Sequence, residues 1–256
     1  MIDGTHAVAG ALTGFVVGLT GVGGGALMTP ILLLFFGVAP GTAVATDLWF
    51  AAITKLVGAR VHHAAGNVDW RVARLLWGGS LPVALLVVAW MGFGGRIARL
   101  PWLTHAIAGV VLVTALGLLL APRWTAWAQR RSGRNSSAPP VLTVGAGAVL
   151  GLCVALTSVG AGALGSVLLL YLHPGRMTPH RLIATDIVHA IPLALAAGMG
   201  YLAAGAVDME MLVGLLTGSI PAVLVGSRLA LYMPGRKVQV ALAVVLALVG
   251  LQILLA

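Results

Sequence analysis

Charge is scarce in this chain. Only 8% of its 256 residues are Asp, Glu, Lys or Arg, just six are acidic, and 60% are hydrophobic, giving a mean hydropathy of +1.06. A water-soluble domain of that size would lack the polar residues to coat its surface, so that class is excluded. Cysteine is nearly absent: Cys153 stands alone in an apolar run, which leaves no internal disulfide and no cysteine metal cluster. The opening MIDGTHAVAG has no basic stretch ahead of an apolar one, which argues against a cleaved secretory signal. No Gly-Lys-Ser/Thr follows the glycine-rich runs, so they are not nucleotide-binding loops. What is present is a succession of long, weakly charged segments, the pattern of an all-α polytopic membrane protein.

The net charge of +9 is explained by topology, because basic residues of membrane proteins collect in loops on the cytoplasmic side. Nucleic acid is not expected as a partner; a small anionic substrate and the lipid bilayer are. A homo-oligomer stays open, and no cofactor or metal is expected.

The chain repeats itself. With a shift of 137, Thr20–Leu27 (TGVGGGAL) falls on Thr157–Leu164 (TSVGAGAL) with six of eight positions identical, and Gly10 and Gly14 fall on Gly147 and Gly151. After a two-residue insertion, ATD at Ala45–Asp47 matches ATD at Ala184–Asp186, GNVDW from Gly66 matches GAVDM from Gly205, and GSLP from Gly79 matches GSIP from Gly218. Two copies of one unit are therefore expected over residues 1–121 and 141–256. They are joined by the basic, Ser/Pro/Gly-containing stretch 122–140, which has no hydrophobic periodicity and reads as a cytosolic linker.

Each copy holds five apolar segments: His6–Thr20, Gly25–Gly37, Gly41–Arg60, Trp70–Phe93 and Trp102–Ala121, then Val141–Thr157, Gly162–Leu172, Pro179–Ala204, Met209–Tyr232 and Lys237–Ala256. The first two of each copy are short, ~20–24 Å as helices, against a ~30 Å hydrocarbon core. A hairpin that enters the membrane and returns at the glycines fits them. Charge counting agrees. With hairpins, one side collects Arg60, Arg71, Arg74, Arg123, Arg130, Arg131, Arg134, Arg176, Arg181, Arg228, Arg236 and Lys237, and the other only Arg96 and Arg99. If each pair made a single crossing, the two sides would carry seven Lys/Arg each and define no orientation. The hairpin arrangement places both termini outside a plasma-membrane protein. It leaves three full crossings per copy, an odd number, so the copies are inverted repeats, the plan of many secondary transporters.

The glycine-rich tips then meet near the midplane. Broken backbone at that depth needs a protein or water-filled surrounding, and glycine lets a solute approach the main chain. Helix starts at Gly25 and Gly162 would offer free N–H groups and positive dipole ends. The expected site for a small oxyanion comprises Thr20, Gly21, Val22, Gly23, Gly24 and Gly25 with Thr157, Ser158, Val159, Gly160, Ala161 and Gly162. Gly10, Gly14 and Gly18, like Gly147 and Gly151, are spaced for close helix packing instead.

Few ionisable residues lie at depth: Asp47, Lys55, Asp186 and His189. Asp47 and Asp186 are repeat-equivalent and follow Thr46 and Thr185. An acidic group repels an anion but can carry a proton; the competing role is capping broken backbone. Asp186 and His189, three apart, are placed to share a proton. Lys55 either supplies charge to substrate or snorkels to the inner interface. His62 and His63 point apart and do not suggest a metal site. Trp70, Trp102, Trp124 and Trp127 suit interfacial anchors, and Pro82 and Pro221 fall at equivalent places where they would kink their helices.

GLTGVGGGALMTPILLLFFGV, GNVDWRVARLLWGGSLP and the diverged second copy resemble the TauE/SafE family of sulfite and organosulfonate transporters over nearly the whole chain. The family is described as having eight spans in two repeated halves, so ten apolar legs treat each first span as a hairpin. The resemblance implies movement of sulfite, sulfoacetate or a related sulfur oxyanion, often outward. Where ATS is common in such proteins, this chain has ATD twice. The leading expectation is a proton-coupled secondary transporter with alternating access. A passive anion channel is the alternative, and an intramembrane enzyme using the two aspartates is disfavoured because no water-activating metal set is recognisable.

Overall fold

The computed structural model describes residues 4–20, 25–62, 68–93, 101–132, 138–160, 162–173, 176–229 and 235–255. They form ten helices and, among the described residues, no strand: α1 (Gly4–Thr20), α2 (Gly25–Leu34), α3 (Pro40–His62), α4 (Trp70–Phe93), α5 (Pro101–Ser132), α6 (Pro140–Thr157), α7 (Ala163–Leu172), α8 (Pro179–Ala203), α9 (Met209–Leu229) and α10 (Gly235–Leu255). Every expected segment is a helix. Proline opens α3, α5, α6 and α8, where its missing N–H costs nothing and its φ is already helical. Asp69 and Asp208 cap α4 and α9, accepting from Val72 N at 3.3 Å and Met211 N at 2.9 Å.

Beyond shifts of one to three residues at helix ends, two points differ from expectation. α5 continues to Ser132, so the first part of the stretch read as linker is helix; it runs on past Pro122 because RWTAWAQRR is rich in helix formers. α6, read as a short hairpin leg, is 18 uncharged residues and is one of five helices long and apolar enough to cross a membrane, with Trp70–Met91, Trp102–Ala121, Arg181–Ala203 and Met209–Leu229. The truly short legs are α2 and α7, ten residues each and ~15 Å long. α3 has the length to cross, but Asp47, Lys55 and Arg60 lower its hydropathy.

The helices contact one another in pairs that exchange the two halves: α1 with α9 and α6 with α4, α3 with α9 and α8 with α4, α2 with α10 and α7 with α5. Small residues set the closest of these contacts. A Cβ on Gly14 of α1 would stand 2.7 Å from the Ser219 carbonyl, and one on Gly10 or Gly18 would overlap the backbone of Leu215 or Val223 on α9. Gly147 and Gly151 of α6 lie equally close to Leu76 and Ser80 of α4. Such approach maximises packing where lipid removes any hydrophobic drive between helices. The central core gathers Val44, Leu48, Val154, Val159, Leu193 and Leu246 from both halves, while Leu85, Leu86, Trp90, Val141 and Leu248 are exposed on the outside, as a lipid-facing surface requires. Trp70 and Trp102, at segment ends, are also exposed. The side chains of Trp124 and Trp127 lie outside the described part, as does His63. Pro82 and Pro221 sit inside α4 and α9.

Candidate functional site

The second break separates α6 from α7. α6 ends where Ser158 N donates to Val154 O at 2.8 Å, and Ser158 takes a left-handed conformation, φ 57°. Such a conformation is costly for a residue with a Cβ, and functional sites tend to keep it. Gly160 and Gly162 follow with φ 128° and 129°, where only glycine is comfortable. Then Gly165 N and Ser166 N donate to Gly160 O and Gly162 O at 2.9 Å each, and α7 begins.

The first break, Gly21–Gly24, lies outside the described residues, as does Ala161. Its flank is informative. Gly25, the first residue of α2, packs so tightly on Ser158 that a Cβ there would overlap the Ser158 carbonyl. The start of α2 from one half and the end of α6 from the other therefore touch.

Thr20 and Thr157 do not offer hydroxyl protons there. Their Oγ1 atoms donate to the carbonyls of Val16 and Cys153, at 2.8 and 2.7 Å, and Thr157 Oγ1 also accepts from Val159 N at 3.1 Å. A hydroxyl has one proton, and the helix end claims it. Ser158 Oγ, by contrast, is buried with no hydrogen-bond partner.

The two aspartates flank the contact. Asp47 is fully buried on α3; its Oδ2 accepts from Thr29 N at 3.2 Å and from Thr29 Oγ1 on α2. The Ser158 hydroxyl lies toward its carboxyl without completing a hydrogen bond, and Asp47 Oδ1 has no partner. Asp186 is buried on α8, beside the Gly162 amide at the start of α7. A Cβ on Gly165 would collide with its Oδ1. Each aspartate thus serves the first turn of a short leg. The positive helix ends expected to be free for an anion already face the protein's own carboxylates.

Lys55 is buried and points inward, not to the interface: its Nζ lies 3.1 Å from Asp186 Oδ2, an ion pair from one half to the other. That pairing overturns the shared proton expected of Asp186 and His189. A full cation across the interface outcompetes a ring three residues along the same helix, and His189 Nε2 instead meets Ser80 Oγ at 3.0 Å. Thr46 and Thr185 act as acceptors between halves, taking the backbone N–H of Asp208 and Asp69 at 3.1 and 3.0 Å.

Several residues escaped the sequence reading. Thr29 holds Asp47, and its repeat-equivalent Ser166 also carries a hydroxyl, which was the available signal. Asp69 stands in the sequence only as part of the repeated GNVDW motif. It is buried, ion-paired to Arg176 and Arg181 at 3.1 and 3.2 Å, and next to the buried His173, whose Nε2 meets Thr143 Oγ1 at 3.2 Å. Burial and the positive charge of Arg176 lower the His173 pKa from 6.5, with Asp69 opposing. No local pattern foretold a contact between α4's cap and the α7–α8 turn.

Five apolar helices long enough to span, two short apolar legs, and ionisable groups buried where the halves meet define a polytopic membrane protein of the transporter type. The family follows from comparison: the model of the sulfite exporter TauE/SafE family matches residues 6–253, and the chain belongs to that family of membrane transporters. It is 34% identical over 258 residues to the probable membrane transporter protein YjnA of Bacillus subtilis (strain 168), covering 96% of this chain and 97% of the relative. To the probable membrane transporter protein YdhB of the same organism it is 27% identical, covering 95% and 96%. A probable membrane transporter protein of Haemophilus influenzae is 28% identical over 60% of this chain. No solved structure matches the chain.

Proposed function

We propose that the protein is a proton-coupled secondary transporter of a small sulfur oxyanion, such as sulfite, sulfoacetate or a similar organosulfonate. It works by alternating access around a site between its two breaks. Residues 1–121 and 141–256 are inverted repeats joined by the cytoplasmic stretch 122–140, both termini lie outside the plasma membrane, and rocking of one bundle against the other exposes the site to each side in turn.

The observation that carries this reading is the contact of Gly25 with Ser158, flanked by Asp47, Asp186 and Lys55. Broken backbone and buried charge together at one place are costly in a bilayer and occur where they line a transport path. The amides at the starts of α2 and α7, the Ser158 hydroxyl and Lys55 supply the anion's donors. A carboxylate at the same helix ends competes with the anion for them. Loading a proton onto a carboxyl removes that competition, so proton and anion bind together and leave together. The sulfur chemistry rests on the family to which the chain belongs.

Reconstitution in liposomes tests the reading. Labelled sulfite and sulfoacetate should move in a saturable way, respond to an imposed pH gradient, and show counterflow, which a passive channel does not. Failure of every sulfur oxyanion tried to move would remove the substrate claim. Movement indifferent to the pH gradient would remove the coupling claim.

A further inference from the structure

The two aspartates are sequence-equivalent, but their surroundings are not. Asp186 has its counter-charge: Lys55 Nζ stands 3.1 Å away, and the pair is buried. Exchanging the halves carries Asp186 onto Asp47 and Lys55 onto Ala194, a buried methyl side chain that has no charge to offer. Among the described residues no Lys, Arg or His pairs with Asp47. Its helix carries Lys55, committed to Asp186, and Arg60 and His62 in its last turn, more than three turns from Asp47. On the elements packed against α3, α2 has no titratable residue, and α8 supplies Asp186, His189 on Ser80, and Tyr201 donating to Ala155 O, with His180 and Arg181 confined to its first turn, where Arg181 pairs with Asp69. α9 has Glu210 and Arg228 only in its first and last turns, and α5 has His105, Arg123, Arg130 and Arg131 toward its ends. Asp47 receives only the two donors of Thr29, and its Oδ1 is left without a partner beside the equally unpartnered Ser158 Oγ.

A buried carboxylate without a cation is unfavourable, and a proton resolves it. We propose that Asp47 alone is the coupling-proton carrier of this transporter, with Ser158 as the hydrogen-bond partner of its protonated Oδ1, and that Asp186 is a fixed ionic strut to Lys55. This rests on the transport reading above. Its electrostatic consequence is definite. With Asp47 protonated, the ionised side chains of the site sum to zero and the helix ends welcome an anion. With Asp47 ionised, the site carries one net negative charge and rejects it. One proton therefore accompanies each anion.

Infrared difference spectroscopy of the purified full chain, taken on acidification with no substrate present, tests the assignment apart from the cargo. The carbonyl stretch of a buried protonated carboxyl should appear in the wild type and in Asp186→Asn and vanish in Asp47→Asn. Ser158→Gly keeps the left-handed backbone comfortable while deleting the hydroxyl. It should shift the band and move its pH midpoint, by about tenfold in proton affinity. A purely structural Ser158 would leave both unchanged. In liposomes, Asp47→Asn should reduce pH-gradient-driven sulfite movement to the level of counterflow without a gradient. A band that persists in Asp47→Asn, is missing from the wild type, or disappears in Asp186→Asn overturns the proposal, as does transport driven by a sodium gradient and not by protons. If Asp47→Asn does not fold, the Ser158→Gly band decides. Absence of sulfite movement with a band that follows Asp47 would count against the cargo and not against the proton site.

Discussion

The carbonyl of Ser158, in the second half of the chain, rests on the α-carbon of Gly25, in the first. Neither residue tolerates much change. Gly25 has no room for a Cβ, and Ser158 holds φ 57° so that its carbonyl can point there. The contact joins the start of α2 to the end of α6, and so ties two interrupted helices into one unit.

Gly25→Ala should therefore destabilise the protein, by ~1–3 kcal/mol or more, because the atom struck is backbone and cannot step aside by changing rotamer. Gly78→Ala is the control: it lies on an exposed face of α4 with nothing within 4 Å of the added carbon, and a helix interior favours alanine. Thermal unfolding of the detergent-purified variants should show a lower midpoint for the first and no loss for the second.

Lys55 and Asp186 form a buried ion pair between the halves. Removing one partner leaves a buried charge without its mate, a loss of ~3–5 kcal/mol in comparable sites, whereas removing both is far less costly. Lys55→Met should lower the unfolding midpoint more than the double variant Lys55→Met/Asp186→Asn does. Equal losses would mean that the pair is not strongly coupled in the folded protein.

Much of this was legible because membrane sequences are written in long runs. Ten apolar segments gave ten helices, and the repeated ATD and VD motifs turned out to contact each other across the halves, Thr46 with Asp208 and Thr185 with Asp69. Pairings between distant helices were not legible. The spacing of Asp186 and His189 suggested a shared proton, because only neighbours along one helix can be read from sequence. Lys55 is 131 residues away from Asp186 and wins by charge. Likewise, hydroxyl-bearing types at Thr20 and Thr157 suggested donors to a ligand. Whether such a hydroxyl bonds its own helix depends on a rotamer that residue identity does not encode.

His173 gives a pH dependence with a fixed sign. Its neutral form is favoured in the folded protein, so the folded state resists protonation that the unfolded chain accepts at about 6.5. Its stability contribution is complete above that pH and falls as the medium is acidified from 6.5 toward the lower folded value. Unfolding midpoints measured between neutral and mildly acidic pH should fall less steeply for His173→Asn than for the wild type. Parallel slopes would remove His173 as the cause.

Asp69 and Asp208 are equivalents that separate the work of a cap from that of an ion pair. Both cap a helix and both donate their backbone N–H to a threonine of the other half, but only Asp69, among the described residues, also holds two arginines. Asparagine caps a helix about as well as aspartate, so Asp208→Asn should be nearly neutral. Asp69→Asn keeps the cap and loses the charge that Arg176 and Arg181 share. Hydrogen bonds to a charged group are worth ~1.5–3 kcal/mol each when dry. Because the arginines are 33% and 38% exposed, water screens part of that value, and the expected loss is ~1–2 kcal/mol in all. The contrast should shrink in high salt, which weakens the exposed arms of the cluster and leaves the caps alone. If Asp69→Asn and Asp208→Asn unfold at the same temperature in low salt, the arginine cluster adds nothing, and the asymmetry between the two halves at this position has no energetic weight.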